Sequence, residues 1–313
     1  MHAMVLSEFG PPDVLLLRAI ADPEPGAHDV LVRVHATSVN SVDCRIRRGE
    51  RAVALPAVLG YDVLGVVIAI GVEVEDFTPG DEVFYAPELY TSDGSYAEYH
   101  VAREEIVAHK PANLSHAEAA TLPLAAGTAW DALVTRAAVE IGETVLILGG
   151  GDVALFAIQI ARAAGAAVFV ACPPELAALA MRLGATRTID VAAERVADVI
   201  AAESADALVD LVFDTTDSTP LEQSVNVTRA GGRIASTFRA IGEASGESVF
   251  RNITHHSVSP RPDRERLAMI CAVAERGQLV PVIDAVLRLE EAADAHRRAE
   301  AGGLRGKLVL EVV

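Results

Sequence analysis

Two hydrophobic rhythms divide this chain. From Met1 to about Asn113, short β-branched runs alternate with turn residues. Val30-Leu31-Val32-Arg33-Val34-His35-Ala36 alternates apolar with polar, the period-two pattern of a half-buried strand. Val63-Leu64-Gly65-Val66-Val67-Ile68-Ala69-Ile70-Gly71 reads as a strand buried on both faces, and Pro79-Gly80-Asp81-Glu82 is a turn leading into Val83-Phe84-Tyr85. Short strands at this spacing predict a compact β-barrel-like domain.

Near Ser115 the rhythm changes. Ser115-His116-Ala117-Glu118 has the form of a capping box, serine at the N-cap and glutamate three residues on. From Ala125 to about Ala138 the apolar spacing is helical. Strands and helices then alternate: strand 144–149, helix 152–164, strand 166–171, helix 174–183, strand 187–190, helix 193–202, strand 208–214, helix 219–229 and strand 232–237. This order predicts a doubly wound parallel sheet. Past Ser259 the pattern gives helix 262–276, strand 281–288, helix 289–301 and a closing strand 307–312.

The junction between the first strand and first helix of that run is Gly149-Gly150-Gly151-Asp152-Val153-Ala154. A strand, a G-x-G-x-x-A turn and an apolar helix form a dinucleotide-binding fingerprint. Gly149 permits the tight turn, Gly151 lets backbone approach a pyrophosphate, and Ala154 lets helix and strand pack closely. The helix N-terminus offers unpaired N–H groups to phosphates.

Composition narrows the setting. Of the 313 residues 51% are hydrophobic and 22% charged, which describes a globular chain with a substantial core. A formal net charge of -18 argues against nucleic acid or an anionic membrane as partner. Cys44, Cys172 and Cys271 are few, odd in number and far apart, as expected for a reducing cytoplasm rather than a disulfide framework. The first residues lack a signal-peptide pattern, and no run of about 18 apolar residues predicts a membrane span.

The chain resembles the medium-chain dehydrogenase/reductase superfamily, in its zinc-independent quinone-oxidoreductase branch. The resemblance rests on Ala69 to Phe84, Leu59-Gly60-Tyr61-Asp62, Gly94-Ser95-Tyr96-Ala97-Glu98-Tyr99, Leu122-Pro123-Leu124 with Thr128-Ala129-Trp130, and Arg305 to Leu310. It implies an α/β chain with a GroES-like β-barrel domain over 1–115, completed by 259–313, and a Rossmann doubly wound parallel sheet over 116–258. It implies a nicotinamide cofactor in the cleft between them, and a homodimer. Where metal-dependent relatives hold a catalytic zinc, this chain has Asn40 and Tyr61-Asp62, of which Asn40 and Tyr61 are poor ligands. No zinc is expected. Asn40 and Tyr61 become the candidate donors to charge developing on a substrate oxygen, with Asp43 and Asp62 orienting the loop. The resemblance further assigns Thr128, the turn Gly149 to Ala154, Cys172, Asp214, Thr215 and Phe238 to the cofactor, and Lys307 to its pyrophosphate.

Two departures bear on the cofactor. The second strand of the alternating region ends Val170-Ala171-Cys172-Pro173-Pro174, without the acid that holds the ribose diol of NAD. That omission favours NADPH, with NADH still open, although no basic residue for a 2′-phosphate is evident and Glu175 stands close by. Asp152, at the helix start, suits the helix dipole but competes with a phosphate for N–H groups. The expected reaction is NADPH-dependent reduction of a quinone or an α,β-unsaturated carbonyl. The alternative is a chain that keeps the fold while having lost dinucleotide binding, with a non-redox role.

Overall fold

The computed structural model describes residues 1–203, 207–216, 221–237, 246–259 and 261–312. They fall into two units, one of 1–125, 261–277 and 281–313, the other of 126–260 and 278–280. The break after Ala125 lies later than the change of rhythm near Ser115. The helix His116–Ala119 and the segment that follows are tied to the first unit: His116 Nε2 lies 2.6 Å from Glu82, and the Leu124 amide donates to Asp62 at 2.8 Å. The Ser115–Glu118 capping box forms as the sequence predicts, with Ser115 N–H on the glutamate at 2.9 Å.

The first unit is built on a seven-stranded sheet. Its path runs Ile283–Arg288, Lys307–Glu311, Asp29–Val39, Val63–Ile70, Glu82–Tyr85 and Ala108–His109, with Tyr99–Arg103 also paired to Asp29–Val39. A three-stranded sheet, Leu15–Ala19, His2–Leu6 and Ala57–Val58, lies in the same unit. The tail strand Lys307–Glu311 pairs antiparallel with Asp29–Val39, with Leu308 opposite Val39. A strand from the end of the chain therefore neighbours one from its beginning. Asp29–Val39 shows the expected alternation only in its first half. From Ala36 to Val39 every residue is buried, the polar Thr37 and Ser38 included.

Beneath this sheet His296, fully buried on the helix Ala292–Ala301, sits in a polar cluster. Arg47 Nε donates to its Nδ1 at 3.2 Å, Cys44 Sγ lies 3.6 Å from the same nitrogen, and Tyr96 Oη is 3.2 Å from Nε2. With Nδ1 accepting, the ring is neutral and carries its proton on Nε2. Burial, helped by the neighbouring Arg47, lowers its pKa to about 3.

The second unit carries a six-stranded parallel sheet in the order Arg187–Asp190, Ala167–Cys172, Thr144–Leu148, Val209–Asp214, Thr228–Ser236, Thr254–Ser257. Val145 to Leu148 are all buried, as a strand covered by helices on both faces requires. Helix Asp152–Ala163 buries every residue from Ala154 to Ala161. Its Gln159 closes on Val280, accepting that amide at 2.7 Å and donating to its carbonyl at 3.1 Å. These bonds explain why 278–280 group with this unit.

The sequence expected a helix to residue 229 and a strand from 232; the observed helix is Leu221–Val227 and the strand begins at Thr228. The β-branched Val225, Val227 and Thr228 disfavour a longer helix. Gly231, at φ +71, turns the backbone and is followed by a register irregularity against Val209–Asp214. The helix expected over 289–301 starts as a tight turn, Leu289–Glu291, and is α-helical from Ala292. Among the described residues no helix is long and apolar enough to cross a membrane.

Candidate active site

In the first unit the end of the strand Asp29–Val39, the helix Ser41–Arg47, the segment Leu59–Asp62 and the tail strand bring one buried polar cluster together. Asn40 N-caps the helix, and its own amide N–H donates to Asp43 at 2.8 Å. Asp43 also accepts from the Gly60 amide at 2.9 Å, so this carboxylate joins the helix start to the turn that carries Tyr61. Asp62 accepts from Ser38 Oγ, from Asn40 Nδ2 at 2.8 Å and from the Leu124 amide at 2.8 Å. Lys307 Nζ donates to Asn40 Oδ1 and lies 3.8 Å from Asp62.

Two carboxyls and one ammonium thus share a site closed to water. Burial raises the pKa of Asp43 to about 7, against the two backbone N–H bonds that favour its anion. Burial also raises Asp62, an effect opposed first by Lys307 and then by Ser38, Asn40 and Leu124. The Tyr61 hydroxyl lies 3.5 Å from the carbonyl of Thr91 and also bonds the Tyr90 backbone. Burial, then the Asp43 charge, pushes the phenol well up, so it stays protonated at neutral pH.

Gly60 is obligatory in this arrangement. Its φ is +103, and a Cβ there would stand 2.4 Å from both Ser95 Oγ and Tyr96 Cδ1. The amides of Gly94, Ser95 and Tyr96 donate to the carbonyls of Val58, Gly60 and Leu59 at 2.8 to 3.0 Å. Segment 94–96 therefore braces the chain just before Tyr61. His100 holds the same loop from the other side, bonded to Tyr85 Oη at 2.8 Å and to the Asp93 carbonyl at 3.1 Å.

This geometry revises the sequence reading at two residues. Asn40 has both amide hydrogens engaged, one by Asp62 and one by the Ser38 carbonyl at 3.4 Å, and its oxygen takes Lys307. In this arrangement it organises the cluster and has no N–H left for a substrate. Lys307, expected at a pyrophosphate, is 2% exposed and directed at Asn40 and Asp62. Ser38 was not singled out in the sequence, although a polar pair, Thr37-Ser38, at the end of an apolar strand was its signal.

In the second unit the glycine turn adopts the shape its fingerprint predicts. Gly149 has φ +115, and a Cβ would stand 2.3 Å from Thr215 Oγ1, which donates to the Leu148 carbonyl at 2.8 Å. Gly150 packs on Leu176, where a Cβ would come within 2.4 Å. Gly151, the N-cap of helix Asp152–Ala163, differs: its φ is -73 and a Cβ would point into open space. An open surface at a helix N-terminus is what a pyrophosphate requires, so these residues fit a dinucleotide. Asp152 accepts the Val153 N–H at 2.8 Å.

A cavity of about 720 Å³ adjoins Gly149 and Gly150 and is bordered by Cys172, Pro173, Glu194 and Arg195. Asp214 is buried and accepts from the Thr216 amide at 2.9 Å, closing the end of its strand. Thr128 is buried within the helix Pro123–Trp130. Val153 and Ala154 are part of the first turn of the helix at Asp152, with Ala154 fully buried as close packing demands. Phe238 lies outside the described residues. Glu194 and Arg195 were missed in the sequence, because they follow the third strand and no glycine or proline pattern marks them.

A barrel-like unit joined to a parallel sheet of this order, with a glycine turn at its first strand, is the architecture of the medium-chain dehydrogenases and reductases. Comparison with known proteins agrees. Residues 26–112 match the alcohol dehydrogenase GroES-like domain and residues 183–310 the zinc-binding dehydrogenase family. The chain is 33% identical to human quinone oxidoreductase across 99% of its length and 97% of that protein. It is 32% identical to 2-methylene-furan-3-one reductase of Solanum lycopersicum, across 100% of its length and 79% of that protein. A crystal structure described as an NAD-dependent alcohol dehydrogenase superposes with a TM-score of 0.93 at 34% identity, covering 100% of both chains.

The chain belongs to the medium-chain dehydrogenase/reductase superfamily, in its quinone-oxidoreductase-like branch. It is an oxidoreductase. A non-redox role, the alternative that the missing ribose acid and Asp152 left open, is set aside by this kinship.

Proposed function

We propose that this protein reduces a conjugated carbonyl, a quinone or an enone, with NADPH and without zinc. The observation that carries the reading is the state of Tyr61: a hydroxyl that keeps its proton and bonds only backbone, at Thr91 and Tyr90, beside a cluster in which the Asn40 amide is fully engaged. A bound nicotinamide supplies the hydride. Tyr61 then donates a hydrogen bond to the enolate or phenolate oxygen that develops on the acceptor. Asp43 and Asp62 hold the turn that presents Tyr61, and Lys307 offsets their charge. Gly151 and the helix start behind it would hold the pyrophosphate.

Independence from zinc is supported by the donor set. Asn40 is a weak ligand, Tyr61 stays protonated, and the Lys307 ammonium among them opposes a second cation. Among the described residues no group of three His, Cys, Asp or Glu is arranged for a metal. Without a Lewis acid a saturated ketone has little help for its alkoxide, whereas a conjugated acceptor spreads the charge.

The three cysteines are free, in keeping with a cytoplasmic setting. A homodimer is supported by the strand Thr254–Ser257, which pairs on one side with Thr228–Ser236 and has no strand on its other side among the described residues. Beside it Val249 and Phe250 are exposed. Light scattering at twice the chain mass supports the dimer, and a single-chain mass refutes it.

The direct test follows loss of reduced-nicotinamide absorbance with a panel of quinones, enones and saturated aldehydes. Turnover of the conjugated acceptors alone is expected. Tyr61→Phe should lower kcat by about a hundredfold while the dinucleotide Kd stays put. Turnover of saturated carbonyls only, or full activity in Tyr61→Phe, overturns the reading.

A further inference from the structure

We infer that Arg195 reads the adenosine ribose of the dinucleotide and selects one that carries a 2′-phosphate. The inference rests on the cofactor reading above and names the residue that sets its specificity. In a doubly wound sheet the ribose lies outside the carboxyl end of the second strand, where an acid takes the diol of NAD or an arginine takes the phosphate of NADP. Here that strand ends at Cys172, in register with Asp190 at the end of the neighbouring strand. The cavity beside the glycine turn is bordered there by Cys172 and Pro173 on one side and by Val191, Glu194 and Arg195 on the other.

Among the described residues two charged side chains border this cavity, and their surroundings decide between them. Glu194 is committed to the fold. One of its oxygens accepts from Arg187 Nη2 at 2.6 Å and the other from the Asp190 amide at 3.0 Å, while Arg187 also engages Glu203 at 3.1 Å. A carboxylate pinned and neutralised in this way is poorly placed to take both hydroxyls of a ribose. Glu175, the acid nearest the strand end in sequence, is exposed and does not border the cavity.

Among the described residues Arg195 is the only cation on the cavity wall. Its side chain is 82% exposed, and its ion-pair partner is Asp198, itself exposed, at 3.6 Å. A solvated pair one helical turn apart contributes little and is readily exchanged for a better anion. A guanidinium donates two parallel N–H bonds to phosphate oxygens from its planar fork. The basic residue that the sequence lacked at the second strand is thus supplied from beyond the third.

The experiment is fluorescence or calorimetric titration of the wild type, Arg195→Gln and Asp198→Asn with NADPH, NADH, 2′,5′-ADP and 5′-AMP. The wild type should bind NADPH and 2′,5′-ADP more tightly than their counterparts. Arg195→Gln should weaken those two by about tenfold to a hundredfold and leave NADH and 5′-AMP within about twofold, the loss expected for a charged hydrogen bond. Asp198→Asn, which frees the arginine, should hold or tighten NADPH. A wild type that prefers NADH, or an Arg195→Gln that weakens all four ligands alike or none, overturns the assignment and leaves the cofactor reading standing. A wild type that binds none of the four removes the cofactor reading itself, and this inference with it.

Discussion

The ammonium of Lys307 and the carboxylate of Asp62 face each other at 3.8 Å with side chains 2% and 0% exposed. One comes from the closing strand, the other from the turn that carries Tyr61, so the pair fastens the end of the chain to the candidate site. Taking two charges out of water is costly, and removing one partner leaves the other buried and uncompensated. Asp62→Asn and Lys307→Met should therefore each lower the unfolding free energy by about 3–5 kcal/mol in urea titration. The double variant should lose much less than the sum. Additive losses would show that the pair is not coupled.

Gly60 and Gly80 offer a controlled comparison. Both have a left-handed backbone, φ +103 and +106, but a Cβ at Gly60 would collide with Ser95 and Tyr96, while one at Gly80 meets nothing within 4 Å. Alanine at either position incurs backbone strain of about 1 kcal/mol or more. Only Gly60→Ala adds a clash beneath the site, so its chemical-denaturation midpoint should fall well below that of Gly80→Ala. Equal midpoints would mean that the close approach of 94–96 to the Tyr61 turn is not tightly set.

Acid should weaken the fold through His296. Its pKa is 6.5 in the unfolded chain and about 3 when folded, so between those values the unfolded state takes up the proton. Stability then falls as pH drops through 6.5, with a slope approaching about 1.4 kcal/mol per pH unit. Asp43 acts in the opposite sense. Its carboxyl titrates near 7 when folded and 3.8 when unfolded, so its contribution rises as pH falls. The difference between wild type and His296→Gln cancels the Asp43 contribution. That difference should shrink steadily from pH 6.5 to pH 4.5. A constant difference would mean that His296 does not remain neutral in the fold.

The glycine turn was legible in sequence because backbone geometry dictates it. Only glycine tolerates φ +115 at position 149, and only a small residue at 154 lets the helix lie on its strand. The alternation of strands and helices was legible for the same local reason. The polar cluster was legible only in part. Asn40, Asp43, Tyr61 and Asp62 fall in short motifs, but which of them spends its hydrogen bonds on the fold depends on Ser38 and Lys307, far away in sequence. Asn40 looked like a donor because the ammonium that occupies its oxygen arrives from the last strand. Arg195 was hidden for a related reason: its importance comes from Glu194 being neutralised by Arg187, a contact between a strand and the turn after it.

The central claim is that the turn at Gly151 holds a nicotinamide dinucleotide, and Gly151→Asp tests it most directly. The position has an ordinary φ of -73 and open space where a side chain would go, so the substitution should leave the thermal midpoint essentially unchanged. It would place a second carboxylate beside Asp152 where the pyrophosphate must approach. Titration with NADPH, followed by cofactor fluorescence, should show binding in the wild type and at least about a tenfold loss in the variant, the scale of one charged hydrogen bond. A variant that folds normally and binds NADPH as tightly as the wild type would contradict the account.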